Sequence, residues 1–486
     1  MKFLFIFLFF PFFLFCQVQI GNDIDGETEG DLFGQDTALS GDGTILAVAS
    51  PNSDENGLGT GLVQVFENSN GTWSQIGQNL YGQVEGSAQV TGISVDLSSD
   101  GTILAFGAAL NAVGNLSDAG EVKIYENING TWTQIGQTIE GEFASSLFGY
   151  DVALSSNGNI IGIGGVGEGS PGSITGLVKV FENNNGTWSQ VGQTLSGSQD
   201  NEFFGDSIAI SSDGNTILIG APGFDGFDGR IKVFENNNGT WTQVGGDILA
   251  SDIATNQEFG SSVSMASDGN TIAASTRSIG SGYVRVFENI NGDWIELGGL
   301  IQGETITDYF GYSIALSDDS NILAVGAVTN DDNGLNSGHT RIYENTGGTW
   351  TQLGTDIEGE AAGDNSGESV SLSSNGDTVA IGAVANADAG TSAGHVRVYD
   401  LNQVLSIVDS EILSFKIYPN PAKNRFTVQL NDQSQLKHIS LYNNIGQRIL
   451  TTDDIVVDTS ELSSGYYLVK IESNNGNKVS KNIIIK

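Results

Sequence analysis

The sequence is poor in cysteine, histidine and positive charge. Of 486 residues one is cysteine, three are histidine and 18 are lysine or arginine, against 58 aspartates and glutamates. A lone thiol excludes an internal disulfide framework, so stability rests on packing; an oxidising compartment permits disulfides without demanding them. The shortage of bases excludes nucleic acid as a partner, because phosphate binding relies on clustered lysine and arginine. There is no HExxH, no paired-cysteine metal motif and no phosphate loop. Beyond the first 16 residues no apolar run is long enough to cross a bilayer, which takes about 20 residues.

The cysteine closes the leader "MKFLFIFLFFPFFLFC", residues 1–16, in which Lys2 precedes an apolar stretch from Phe3 to Phe15. That pattern suits a signal peptide. Cleavage between Cys16 and Gln17 leaves an exported chain without a thiol. The rival reading, acylation of Cys16, wants a small residue before the cysteine, and Phe15 is large. No transmembrane segment is expected in the mature chain.

Charge divides the remainder. Residues 17–404 hold 50 acids and 8 bases, whereas residues 405–486 hold 8 acids and 9 bases. The shift marks a domain boundary near residue 405. The plainest consequence of an acidic surface is solubility in a salty exterior.

What the sequence has in abundance is repetition, sought before any local assignment. Every tryptophan falls in one phrase: "NGTW" at Trp73, Trp132, Trp188 and Trp241, "NGDW" at Trp294 and "GGTW" at Trp350, at intervals of 53 to 59 residues. Phe-Gly recurs at Phe33, Phe148, Phe204, Phe259 and Phe310, with Thr91-Gly92 and Ser366-Gly367 in the same slot. In residues 204–250, "SIAIS" alternates, Asp213-Gly214 turns, "NTILIGA" is apolar on both faces, "GRIKVFE" alternates again, "NNNG" turns and "TWTQVG" follows. Asn-Gly and Asp-Gly between alternating runs signal hairpins, since both turn residues take positive φ. Four short antiparallel strands per unit, seven units and no helical period predict an all-β fold, a seven-bladed β-propeller.

The seventh unit has only three strands before it stops, at about Leu401, and the chain opens with a unit's ending: "QVQIGNDIDGE" from Gln17 matches "TQLGTDIEGE" from Thr351. The segment 17–24 is therefore expected to complete the last blade and close the ring, which removes open sheet edges.

The unit "FGDSIAISSDGNTILIGAP" resembles the FG-GAP repeat of integrin-α-type propellers, over roughly residues 17–400. Calcium-binding blades of that family carry an acidic loop resembling D-x-D-x-D-G. Here the slot holds "SGDGT", "SSDGN", "SDDSN" and similar turns, with one or two carboxylates, whereas calcium wants six to eight oxygens. These read as plain hairpins, so no cofactor and no metal are expected. The tail, from "FKIYPNPAKNRFTVQL" onward, reads from pattern as about six short strands, a small β-sandwich. Its words resemble the C-terminal sorting domain of type IX secretion substrates in Bacteroidota, at Tyr418, Pro419, Asn420, Pro421, Gly446, Gly465, Tyr467, Lys470 and Lys486. The resemblance implies the type IX machinery as partner, and a product that is secreted or held on the outer cell surface.

Candidates for chemistry are few. His339 in "SGHTRIYEN" and His395 in "AGHVRVYD" share one slot of consecutive units, which favours a structural role over catalysis, and no nucleophile phrase accompanies them. The tryptophans suit packing between blades better than a sugar-stacking ring. "NGT" suits a hairpin turn better than a glycosylation acceptor. One asymmetry is left. Connections between blades, and between second and third strands, share one face in a propeller; they carry about half the acids and a single base, Arg277. Asp54, Glu55, Asp225, Asp228, Asp331 and Asp332 stand in these connections as a candidate acidic binding face, since long loops on a rigid frame are where binding concentrates. A non-catalytic binding or adhesion propeller with an extracellular glycan or protein ligand is the first expectation. The alternatives are a glycoside hydrolase or lyase, which needs a converging carboxylate pair, and a structural surface-layer component.

Overall fold

The computed structural model describes residues 17–82, 92–167, 173–250, 257–277, 280–402, 415–430, 436–443, 447–460, 462–473 and 478–486. Cys16, Gly446 and the domain boundary at 404/405 lie outside them. The chain divides into two units, residues 1–405 and 406–486.

Among the described residues the first unit contains seven five-stranded antiparallel sheets. The fourth sheet shows why the sequence folds this way. Ile208–Ile210 pairs with Thr216–Ala221, which pairs with Arg230–Asn236. Between the first two, Gly214 takes φ +73°, and the Asp213 carboxylate accepts from Ser211 Oγ and the Asn215 amide at 2.7 and 2.9 Å. The second strand is buried almost throughout, which accounts for its continuous apolar run.

Five strands appear where the repeat suggested four, because the outer strand is broken. Trp241–Gln243 and Ile248–Leu249 both pair with Arg230–Asn236, and Gly245 lies between them at φ +73°. The break makes room for the next sheet's tryptophan: a Cβ on Gly245 would lie 3.0 Å from Cδ1 of Trp294. The outer segment at the start of the chain is split in the same way. Val18–Gln19 pairs with Tyr399 and Asp400, and Ile24–Asp25 pairs with His395 and Val396. Gly21 separates them at φ +82°. Residues 18–25 thus form the outer edge of the sheet that contains His395–Asp400.

The innermost strands, from Thr37–Leu39 to Ser366–Leu372, pack each against the next, and the last against the first. Backbone bonds complete this cycle at the hairpin turns. Gly41 donates to Ser99, Ser99 to Ser156, Ser156 to Ser212, Ser212 to Ser267, Ser267 to Asp318, Asp318 to Ser374 and Ser374 back to Gly41, over 2.8 to 3.1 Å. At the periphery, the indole N–H of Trp73, Trp132, Trp188, Trp241, Trp294 and Trp350 donates to a carbonyl of the preceding sheet at 2.9 to 3.2 Å. In the seventh sheet this place falls to Gln17, whose Nε2 donates to Leu353 O at 3.4 Å and Thr355 O at 2.8 Å. Trp132, Trp188 and Trp241 are almost fully buried, so they pack the sheets together.

The Phe-Gly pair marks where sheets come closest. Phe33, Phe148, Phe204, Phe259 and Phe310 are buried in the clusters that join neighbouring sheets. The following glycine has positive φ, and in four of the five pairs it faces a glycine of the preceding sheet; Gly311 faces Ser275 instead. A Cβ on Gly220 would lie 2.0 Å from Gly260 O.

The second unit has seven described strands rather than about six. One sheet holds Phe415–Tyr418, Arg425–Leu430 and Val456–Asp458; the other holds Arg448–Thr452, Leu436–Tyr442, Gly465–Ser473 and Lys478–Ile485. Phe426, Val428 and Val457 of the first meet Ile439, Leu441, Val469 and Ile483 of the second in one core.

Trp188→Phe keeps the ring packing but removes the indole donor to Ile135 O, and is expected to cost about 1 kcal/mol in chemical denaturation; a change near zero would mean the bond is idle. Deleting residues 17–25 exposes the edge of His395–Asp400 and is expected to lower the melting temperature markedly or cause aggregation. An unaltered melt would show that this edge does not hold the ring.

Candidate functional site

Each innermost strand turns an edge toward the central channel, and an edge strand leaves amide groups in need of partners. The second residue after Phe-Gly supplies them. Asp36 accepts from the amides of Thr37 (2.9 Å) and, on the next sheet, Val95 (2.8 Å). Asp151 accepts from Val152 (2.9 Å) and Ile208 (2.7 Å) in the same fashion. Asp96, two residues further along its strand than this slot, joins Leu97 to Leu154. At two serines of this slot the hydroxyl accepts instead, Ser207 from Val263 at 3.1 Å and Ser262 from Ile314 at 3.2 Å, whereas Ser313 and Ser369 donate to the carbonyls of Gly367 and Gly34. Three carboxyls thus serve as structural ties. Burial pushes Asp36 up to about 8, Asp96 to about 7 and Asp151 to about 6, against the pull of the backbone hydrogen bonds.

The residue immediately after Phe-Gly is different in kind. Across the seven sheets it is Gln35, Ile93, Tyr150, Asp206, Ser261, Tyr312 and Glu368, and these residues line a polar cavity of about 240 Å³ at the channel mouth. Arg277, from the connection after Thr271–Ser275, reaches into it. Its guanidinium lies 4.8 Å from the Tyr312 ring centroid, a cation–π arrangement. Tyr312 Oη and Gln35 Nε2 donate to one Glu368 oxygen at 2.9 and 2.8 Å. Burial raises Glu368, partly offset by those two bonds. Burial also raises Asp206, to about 6, although the charge of Arg277 pulls it back. Arg277 keeps its charge: burial works against it, and Asp206, Tyr312, Tyr150 and Glu368 outweigh that. The mouth therefore offers one cation, two carboxyls that burial makes harder to ionise, two phenols and an amide.

Sequence reasoning singled out Arg277 but not the other mouth residues, because they sit in strand slots rather than loops. Their signal was internal: a slot that varies in all but its tyrosine pair, beside one that is only Asp or Ser. The predicted acidic residues lie on three separate connections. Asp54 accepts from the Gly59 amide at 2.5 Å, and Glu55 from Tyr81 Oη at 2.7 Å and Asn79 Nδ2 at 2.9 Å. Asp225 lies within the short turn Phe224–Phe227, at φ +50°, and Asp228 follows it. Asp331 accepts from the Asn336 amide at 2.8 Å. Asp332 alone joins a wider group, with His339, Asp356 and Glu358. Carboxylates of the hairpin turns are locally engaged: burial works to raise Asp42, but hydrogen bonds from Thr44 and Ser40 win and hold it low.

In the second unit, Tyr418, Pro419, Asn420 and Pro421 are exposed at the end of the first strand. Asn420 Oδ1 accepts from the Ile484 amide at 3.0 Å. Gly465 opens a strand containing Tyr467 and Lys470, paired with Lys478–Ile485; Tyr467 packs on the core and donates to Ser463 O at 2.9 Å. Lys486 donates its amide to Ala422 O at 2.8 Å.

Fold and tail define the class: an all-β propeller exported by type IX secretion, to the cell surface or the medium. Residues 416–486 match the model of a secretion system C-terminal sorting domain, and residues 305–343 match that of the FG-GAP repeat. No curated protein matches the chain. Among solved structures, the WD40 repeats of RRP9 share 14% identity over 79% of this chain and 99% of that one, at a TM-score of 0.50. Hydrazine synthase of Kuenenia stuttgartiensis gives 12% over 74% and 94%, at 0.48. The periplasmic gluconolactonase PpgL of Pseudomonas aeruginosa gives 15% over 67% and 85%, at 0.46. The likeness to the RRP9 repeats concerns fold alone. Among the described residues no helix is long and apolar enough to cross a membrane.

The tie carboxyls set a pH dependence. Between about pH 4 and pH 8 the folded form keeps protons that the unfolded chain, with aspartates near 3.8, has released. Stability from these groups is fullest at the acid end and declines as pH rises through the folded values. In high salt, which screens the net negative charge, the melting temperature is expected to fall from pH 5 to pH 8.5, and to fall less in Asp36→Asn/Asp96→Asn. An identical slope in that variant would remove these groups as the cause.

Proposed function

We propose that the protein is a secreted or surface-displayed binding propeller, without catalysis of its own, that engages an extracellular glycan or protein ligand at the channel mouth and the connections around it. A leader in residues 1–16 and the sorting domain deliver it there. The observation that carries this reading is the contrast between neighbouring slots. The repeat holds its packing positions nearly constant, yet supplies Gln35, Tyr150, Asp206, Tyr312 and Glu368 around one cavity, with the lone loop base Arg277 above them. Hydrogen-bonding groups on a rigid frame, with aromatic faces among them, suit a hydroxyl-rich ligand. The surrounding acidic connections favour a ligand that is neutral or cationic.

A second reading has its own observation. Asp206, raised to about 6 and sharing the mouth with Glu368, has the character of a general acid in glycoside cleavage. Fold does not decide between the two.

The full chain, applied to a glycan and matrix-protein array with calcium and with a chelator, is expected to bind one ligand class. Tyr312→Ala or Arg277→Gln is expected to weaken that binding at least about tenfold, as loss of a central contact does. Silence in both conditions, or binding indifferent to both variants, would count against the mouth. Turnover of a polysaccharide that disappears in Asp206→Asn would replace this reading with the second.

A further inference from the structure

Outside the mouth, one nest of side chains recurs at the rim of several sheets, where the third strand begins beside the outer segment. In the fourth sheet the nest is internally neutralised. Arg230 opens the third strand and reaches Asp247 at 2.6 Å, Lys232 approaches the same carboxylate at 3.4 Å, and Arg230 also grips buried Glu202. In the sixth sheet His339 takes the arginine's slot, and Arg341, two residues on, holds both oxygens of Asp356 at 2.8 and 2.6 Å.

In the seventh sheet that compensation is only partial, reaching Glu360 but not the outer-segment carboxylate. His395 stands in the slot, and Asp23, from the outer segment, corresponds to Asp247 and Asp356. Asp23 accepts from Gln19 Nε2 at 2.6 Å, but among the described residues it has no lysine or arginine partner. Arg397 turns instead to the Glu358 carbonyl at 2.6 Å and to Glu360 at 3.5 Å. Asp388, on the connection between second and third strands, and Glu360, from the preceding sheet, complete the group. One donor atom from each of Asp23, Glu360, Asp388 and His395 lies within 4.8 Å of the others.

The histidine is the independent sign of a ligand. His395 is 0% exposed, and neither ring nitrogen has a hydrogen-bond partner, a costly state for a buried polar group unless something is to be bound there. Three carboxylates and an imidazole suit a borderline divalent ion; calcium and magnesium prefer oxygen alone.

We propose that Asp23, Glu360, Asp388 and His395 bind a divalent transition-metal ion of the zinc class across the seam where the chain's opening segment joins the seventh sheet. Zinc takes such ligands at about 2.0–2.2 Å, and the exposed Asp388 and Glu360, both in connections between strands, close in to meet it. The ion supplies the charge that Arg230 and Lys232 supply in the fourth sheet, and it fastens residues 18–25 in place. This site is separate from the channel mouth, and its failure would leave the proposed binding function standing.

The test uses the full chain, freed of metal with a chelator, then titrated with zinc chloride alone and, separately, calcium chloride, by calorimetry and thermal melting. Zinc is expected to bind and raise the melting temperature, since it stabilises only the folded form. His395→Gln is expected to weaken zinc at least about tenfold, the lower end of what loss of even an outer-sphere partner costs. Asp388→Asn, at an exposed position, is expected to do the same, and His339→Gln to leave this binding in place. No zinc binding, zinc binding indifferent to both seventh-sheet variants, loss in His339→Gln alone, or a preference for calcium would each overturn the proposal.

Discussion

Everything in the first unit depends on the cycle of backbone hydrogen bonds at the hairpin turns, from Gly41 to Ser99 and onward until Ser374 returns to Gly41. A sheet in isolation has two edges, and the inner one here has no further strand paired with it among the described residues. Each turn donates to the next, and among the described residues six of the seven inner strands have an amide met by an Asp or Ser of the preceding one. The cycle has no weak end only because it closes. Outside it, the indole donors repeat the same logic at larger radius, with glutamines 78, 137 and 193 each bonding both the N–H and the C=O of the next tryptophan.

That arrangement explains the composition. Glycines are needed where sheets touch backbone to backbone, as at Gly220 and Gly260, and where the outer strand steps aside for an indole. Acids are tolerated in quantity because many are engaged locally, in turns like that of Asp213 or ties like that of Asp36, rather than gathered in one place. The few bases are correspondingly conspicuous. Arg230, Arg341 and Arg397 each serve a particular acidic nest, and Arg277 alone serves the channel mouth.

The strands and turns were legible because they rest on local chemistry: alternation, Asp-Gly and Asn-Gly, and a period marked by tryptophan and Phe-Gly. The break in the outer strand was less so, since Gly245 reads as an ordinary turn residue until Trp294 of the next sheet is placed beside it. The functional sites were hardest. Asp206 and Glu368 are three units apart, and each looks like casual variation in a strand slot; the ring alone gives them a common cavity. Asp23 and His395 are farther apart still. The shared slot of His339 and His395 was visible, but not that both are buried without a hydrogen bond to either ring nitrogen; for His395 the outer segment beside it comes from the opposite end of the chain.

Gln17 carries a consequence for the order in which the molecule can assemble. The segment that emerges first pairs with residues 395–400, which emerge last of this unit. The indole-like bond to Leu353 must wait until 336 residues have followed, and the pairing of Val18 with Asp400 waits longer still. Contacts so distant in sequence form slowly, because the loop they close must be ordered first. A chain delivered end-on across a membrane would therefore complete its sheets one by one and remain an open arc until the whole unit had arrived. The sorting domain, matched from residue 416, follows the last propeller strand, which ends at Asp400, so the export tag is made only after the strand that closes the ring.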